Sequence, residues 1–427
     1  MKVKEGISKN ILLSKAIICA VAGMLAFSVQ VVVAKQFQEL LDQPRDLFRD
    51  VAVASQSTGS ATMKTATIRS RPVVVDFKLL TQLKKGIGKR VGFNLFPDVN
   101  FIGVVERIEE GLHGAQIFYG ELVDREYGSF IIVVVDEAMA ASIRIPGEEV
   151  YQVHLLKNSL HVIRQVDESQ LLPCGVDSEH MAQMTPSQTF EAGSVAQPLM
   201  GSVGDPLVFD VLVVYTPKAR NSAGGTAGML SRIQLAVANG NLAYQNSLIG
   251  PRLRLIHTAE VSYTESDSSS TDLSRLKNKN DGYMDEVHIM RNTYGADMVS
   301  LVAWGLDVCG RAYQMTEESW GFHEEAFSIV NIACLESLTF VHELGHNIGC
   351  THDRDNAGVG VFDYSFGYRN PSQTWRTVMA YSPGTRIPYF SNPEVLYQGE
   401  PTGIPQGQPD SADNALSINN VADTVIS

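Results

Sequence analysis

The sequence has no run of Lys or Arg long enough to make a basic face. Its net charge at pH 7 is −13, so a nucleic-acid partner, which needs such a face, is argued against. It has no internal repeat, so 427 residues point to distinct domains, and two is the natural expectation. Cysteine is scarce, at five. The region Ile68 to Asp167 lacks both a helix of convincing length and any cluster of catalytic residue types. There is no twin-Arg pair near the N-terminus. What is present is ordinary globular material, 44% hydrophobic and 19% charged, enough for either half to bury a core.

The first residues are patterned differently. "MKVKEGISKNILLSK" carries Lys2, Lys4, Lys9 and Lys15. An apolar run follows from Ala16 to Ala34, broken only by Ser28 and Gln30, and it ends on Val32-Val33-Ala34. A charged start, an apolar middle and a small-residue exit make a secretory signal peptide over 1–34. The alternative is an uncleaved anchor, since the run is almost long enough to span a bilayer. Export implies a secreted, extracellular product (periplasmic in transit), with no stable membrane association once the signal is cut. It also makes disulfides possible among Cys174, Cys309, Cys334 and Cys350, in any of three pairings.

Residues 35–181 read as a mostly β front domain. It begins with a polar linker, "ASQSTGSATMKTAT", and continues as Val- and Ile-rich strands separated by turns. Residues 182–206 are rich in Gly, Pro, Ser and Gln. They read as an exposed linker, the place for an activation cleavage. From 207 to 427 strands alternate with helices. "FDVLVVYTP", "RLRLIHTAEVSY", "ADMVSLVAW" and "AFSIVNIAC" are the strands. Thr226 to Leu248 and "DGYMDEVHIMRNTYG" are helices, and a last amphipathic stretch starts at Ser411.

The chemistry concentrates in "TFVHELGHNIGCTHDRD", Thr339 to Asp355. On a helix over about Glu336 to Ile348, His342 and His346 are four residues apart and project from one face. That spacing suits two ligands of one zinc ion. Glu343 lies beside the first ligand and can reach water at the metal without ligating it. Zinc lowers the pKa of such water toward about 7, and the carboxylate can take the proton and pass it to a leaving amine. Gly349 lets the helix stop and the chain turn, and His352 can then return as third ligand, leaving one position open. Leu338, Val341 and Leu344 supply the buried face.

The full H-E-x-x-H-x-x-G-x-x-H resembles the metzincin metalloproteases. The resemblance implies an α+β fold: a metzincin-like catalytic domain with a twisted mixed sheet, long helices, a zinc-motif helix and a methionine turn, preceded here by a mostly β propeptide domain. Met379 in "RTVMAYSPG" fits the turn. Tyr381 stands where astacin-like and serralysin-like members place a tyrosine near the metal, as ligand, oxyanion stabiliser or loop support. Asp353 after the third histidine looks like the reprolysin-like branch. "DVLVVYTPKAR", "DGYMDEVHIMRNTYGAD" and "RIPYFSNPEVLYQGEPTG" are similar to the bacterial peptidyl-Asp metalloendopeptidases. That likeness implies one catalytic zinc, protein or peptide substrates, and cleavage on the amino side of Asp, less readily Glu. It says nothing of calcium, and gives Cys350 no expected role.

Two further assignments follow. "LPCGVD", Leu172 to Asp177, resembles the cysteine switch of matrix metalloproteinase propeptides, in which a thiolate occupies the open position on zinc. On that reading Cys174 makes the propeptide an intramolecular inhibitor, and Cys309 with Cys334 is the pair expected to bridge. The alternative is a disulfide from Cys174 to Cys309, Cys334 or Cys350. A pocket for Asp calls for arginine, whose planar fork meets a carboxylate with two hydrogen bonds. In the segment after the methionine turn Arg386 is the only basic residue, with Arg369 and Arg376 as second choices. Two other functions stay in view: a catalytically silent zinc-fold binding or adhesion protein, and an amidase acting on cell-wall peptides. The presence of Glu343 favours an active peptidase over the first.

Overall fold

The computed structural model describes residues 44–51, 66–147, 150–176 and 207–426. The expected signal peptide and most of both linkers lie outside these residues. Asp46 to Ser427 forms one compact unit.

The front region is one antiparallel nine-stranded sheet. Its strands are β1 (Phe48–Asp50), β2 (Thr67–Val75), β3 (Arg90–Phe96), β4 (Val99–Glu110), β5 (Gln116–Leu122), β6 (Ser129–Val135), β7 (Ala138–Arg144), β8 (Val150–Lys157) and β9 (Leu160–Val166). The order is β1-β2-β9-β8-β7-β6-β5-β4-β3. The two edges meet through a bridge from Asp46 to Gly92, where Leu47 N–H donates to Gly92 O at 2.9 Å. Curling the sheet onto itself in this way hides edges that would otherwise template aggregation. Phe93, Phe118, Phe130 and Ile163 fill the inside. Unlike the sequence expectation, this region also holds a short helix, α1 (Phe77–Leu83), capped by Asp76, whose carboxylate accepts from Lys78 and Leu79 N–H.

The second half is layered. Strands β10 (Cys174–Val176), β11 (Val208–Tyr215), β12 (Arg252–Glu260), β13 (Met298–Ala303), β14 (Gly310–Ala312) and β15 (Phe327–Asn331) form a sheet in the order β10-β14-β15-β13-β11-β12. All pairings are parallel except β14 with β15. The central strands are mostly apolar because helices cover both faces. The helices are α2 (Pro217–Ser222), α3 (Thr226–Asn246), α4 (Ser269–Lys277), α5 (Glu286–Tyr294), α6 (Thr339–Asn347) and α7 (Asn414–Val425). Gly295, at φ +68°, closes α5 in the left-handed conformation. One face packs with α3, α6 and α7; the other packs Leu273, Leu276 and Val287 of α4 and α5.

Helix α3 is buried on nearly every side. Its Ile233, Ala236 and Val237 face the mixed sheet, while Leu235 and Ala238 pack on Ile117, Ile131 and Val133 of the front sheet. Strand β7 is buried along its whole length for the same reason, and Ser142 Oγ donates to Asn239 Oδ1 across the junction at 3.0 Å.

Candidate metal centre and its cleft

Helix α6 is shorter than the spacing predicts, Thr339–Asn347 rather than Glu336 to Ile348. Ser337 Oγ accepts from Thr339 N–H and donates to Cys334 O, which turns the chain just before the helix. Leu338, Val341 and Leu344 anchor it in the core. It ends where Gly349, at φ +85°, reverses the chain. His352 then returns on strand β16 (Thr351–Asp353), which pairs in parallel with β17 (Phe366–Gly367).

His342, His346 and His352 are all buried and meet at one point. His352 Nε2 lies 3.2 Å from His342 Nε2 and 3.1 Å from His346 Nε2. Each outer nitrogen is tied to backbone: His342 Nδ1 to Val378 O at 2.9 Å, His346 Nδ1 to Cys350 O at 3.0 Å, and His352 to Asn356. Those bonds place the protons on Nδ1, so three lone pairs face one another. Burial also keeps the rings neutral, lowering His346 to about 4 and pushing His342 and His352 down as well. Facing lone pairs repel unless a cation sits between them. Zinc–nitrogen bonds of about 2.0–2.1 Å give a tetrahedral edge of about 3.3 Å, close to the observed spacing. The donor set therefore fits zinc.

Glu343 points into the same space. Its Oε1 is buried with no hydrogen-bond partner, and burial raises the carboxyl to about 8; a bound cation would pull it back down. Beneath the histidines runs the turn around Met379. The Met379 sulfur would be 2.7 Å from a Cβ built on Gly345, so the zinc-motif helix approaches the turn only because residue 345 has no side chain. Tyr381 N–H donates to Asp353 Oδ2 at 2.8 Å, and its ring lies 4.2 Å from that of His352. Asp353 also pairs with Arg369 and accepts from Asn356, which fixes the turn against the third histidine.

Cys174 stands over the open side. Its Sγ is 3.3 Å from Glu343 Oε2 and 3.7 Å from His346 Nε2, and its sulfur and the three histidine nitrogens all lie within 4.8 Å of one another. Tyr381 Oη donates to Cys174 O at 2.9 Å. The segment is carried in by β10, which pairs in parallel with the sheet edge β14, Cys174 opposite Gly310. Cys174 and Cys350 are free thiols, and Cys309 is joined to Cys334. Cys350 is a core side chain whose carbonyl serves His346.

The three arginines are used differently. Arg369 pairs with Asp353 and Asp355. Arg376 donates to Gly384 O and Ala380 O at 2.8 and 2.7 Å, bracing the loop after the turn. Arg386, on the short strand β19 (Thr385–Arg386) that pairs with β18 (Trp375–Arg376), has a buried Nε with no partner. Among the described residues it makes no ion pair within 4.0 Å. It lines a cleft of about 280 Å³ together with Cys174, His342, Glu343 and Tyr381. Sequence reasoning missed Glu168, which lines the same cleft. No local signal marks it, because it lies in the front region, far from the motif in the chain.

Residues 206–391 match the model of the metallo-peptidase family M12. A peptidyl-Asp metalloendopeptidase of Stenotrophomonas maltophilia is 32% identical, covering 95% of this chain and 97% of the relative. One from Xanthomonas campestris pv. campestris is 34% identical over 72% of this chain and 74% of its own length. The chain belongs to the M12 metallopeptidases, with the peptidyl-Asp metalloendopeptidases as relatives. Among solved structures, metalloproteinase-II from Bacteroides fragilis is 11% identical, with a TM-score of 0.46 over 81% of this chain and 95% of that one. As an M12 member the metallopeptidase uses zinc and acts on peptides. No helix among the described residues is long and apolar enough to cross a membrane.

Proposed function

We propose that this metallopeptidase is a secreted endopeptidase that cuts on the amino side of Asp, less readily Glu, and is made as a latent precursor. What carries this reading is one juxtaposition: a cluster of three imidazoles and Cys174 adjoins a cleft that holds an unpartnered Glu343 oxygen and an unpartnered Arg386 nitrogen. His342, His346 and His352 would hold the zinc, with Met379 in the turn below. Bound there, zinc supplies Lewis acidity that polarises a carbonyl and acidifies water. Glu343 takes the proton from the attacking water and delivers it to the leaving nitrogen. Tyr381, which now donates to a peptide carbonyl, is placed to donate to the carbonyl oxygen as charge develops there. Arg386 receives the substrate carboxylate. The edge of β14, covered by β10, is where an extended substrate would pair.

Latency comes from Cys174, whose thiolate would fill the open position on zinc. The front domain is then the propeptide, and cleavage in 182–206 frees the enzyme. The Cys309–Cys334 bridge accords with export.

The test is digestion of a peptide library by the secreted product, with mass spectrometry of fragments and of the mature N-terminus. Cleavage before Asp, abolished by a chelator and restored by zinc, with an N-terminus in 182–206, is expected. Release of muropeptides without protein cleavage would make it an amidase. Metal binding without turnover would make it a silent binding protein.

A further inference from the structure

Glu168 opens the turn just upstream of β10 and lines a cleft with Arg376 and Arg386. Arg144, at the end of β7, grips it with two hydrogen bonds, Nη2 to Oε1 at 3.0 Å and Nη1 to Oε2 at 3.3 Å. Both side chains are under a tenth exposed, at 8% and 7%. The turn packs against β19. Glu168 therefore lines the cleft that holds Arg386 and Arg376, and its charge acts on both guanidiniums. Arg376 is spent on backbone carbonyls, whereas Arg386 is not paired. Glu168 thus shares the cleft with Arg386 while its carboxylate is bonded to Arg144.

We propose that Glu168 is the front domain's surrogate for the acidic side chain of the substrate. It sets a negative charge in the carboxylate slot while Cys174 covers the metal site, so the precursor carries two restraints, one on each recognition element. This rests on Arg386 being the carboxylate receptor. Arg144 is a positioning residue that keeps the second restraint from acting fully. Neutralising Glu168 weakens latency, whereas removing Arg144 frees Glu168 to turn toward Arg386 and strengthens it. A plain structural ion pair would respond alike to loss of either partner.

The test uses the full-length precursor and reads alkylation of Cys174 by iodoacetamide, with buried Cys350 as the marker of unfolding. Glu168→Gln should speed Cys174 alkylation by about fivefold or more, above the upper end for an exposed pair because this cleft is buried. Arg144→Gln should leave it unchanged or slower. N-acetylaspartyl methylamide at millimolar concentration should speed alkylation of the unmodified precursor, its asparaginyl analogue should not, and Arg386→Ala should abolish the effect. Equal acceleration by Glu168→Gln and Arg144→Gln, or no response of the unmodified precursor to the aspartyl compound, overturns the proposal. The competition arm decides even where a variant unfolds. The Asp preference of mature Arg386→Ala reports separately on the selector: a preference left intact refutes Arg386 itself, whereas a lost preference without competition in the precursor refutes Glu168 alone.

Discussion

Three side chains that line one cleft, Glu343, Cys174 and Arg386, make separable predictions. Glu343→Gln keeps the shape and removes the base. Zinc content and folding should persist while kcat falls by roughly 10²–10⁴-fold; turnover near that of the parent enzyme would remove Glu343 from the mechanism. Cys174→Ser should make the intact precursor cleave peptides before processing, since a hydroxyl is a far weaker zinc ligand than a thiolate. A latent serine variant would mean that burial beneath β10, not the sulfur, imposes silence. Arg386→Ala should lower kcat/KM for Asp peptides by about 10- to 100-fold, the scale of a charged hydrogen-bonded pair, and spare other peptides. Arg376→Ala should instead loosen the loop it braces and reduce all substrates together. The convergence of the histidines was legible in the sequence because helical spacing and one glycine turn are local properties. Asp353 as the pin of Tyr381, and Glu168 as a cleft residue bonded to Arg144, were not, because the partners lie 28 and 24 residues away in the chain.

Among the elements, those with long apolar periodicity were the readable ones. Helix α3 ends within two residues of the expected Leu248, the apolar strands β13 and β15 fall inside the quoted runs, and β11 starts one residue before its own. Helix α4 gave no such signal: "SSTDLSRLK" is short and polar, and it is held by the Ser268 cap and by burial of Leu273 and Leu276. The three-residue strands β10 and β14 have no period to read, yet they build the wall of the site. Strand β14 offers a test at this scale. A Cβ at residue 310 would lie 2.3 Å from Glu343 Oε1 and 2.6 Å from its Cδ. Gly310→Ala must therefore push the carboxylate aside while leaving the histidines untouched. The variant should bind zinc normally, melt near the parent temperature and lose at least about tenfold in kcat, since a misplaced base forfeits its proton-transfer geometry. Loss of zinc along with activity would show that β14 supports the metal site and not the base alone.

At the scale of the whole molecule, a buried charge cluster links the front sheet to the second half. Glu336, just before the zinc-motif helix, pairs with Arg232 of α3 (Nη2 to Oε2, 2.8 Å) and stands 3.2 Å from Nδ1 of His154 on β8. All three are buried. Other titratable groups facing the cluster are Arg164 on β9 and, through His154, His161. Burial, opposed by the Glu336 charge, lowers His154 below its ordinary 6.5; burial also works to raise Glu336, but the Arg232 guanidinium outweighs it and holds the carboxyl at about 2. Both shifts have the same sign for stability. A histidine held neutral binds fewer protons folded than unfolded, so its contribution is complete above about pH 6.5 and drains away as pH falls. Glu336 adds a second loss, beginning near its unfolded 4.5 and complete near 2. His161, lowered to about 4 where its Nε2 accepts from Met139 N–H, adds a third within the front sheet. The precursor's melting temperature should therefore fall as pH drops from 7 to 5. His154→Gln should flatten that slope over the same interval, while Glu336→Gln should destabilise at every pH by stranding Arg232, a penalty of about 3–5 kcal/mol for a broken buried pair. Under the proposed cleavage in 182–206, the product lacks His154 and should show no such slope between pH 7 and 5 beyond that of its own histidines. A precursor whose melting temperature is flat across this range, or a His154→Gln variant with the parent's slope, would mean that the cluster fixes the docking geometry without making it sensitive to acid.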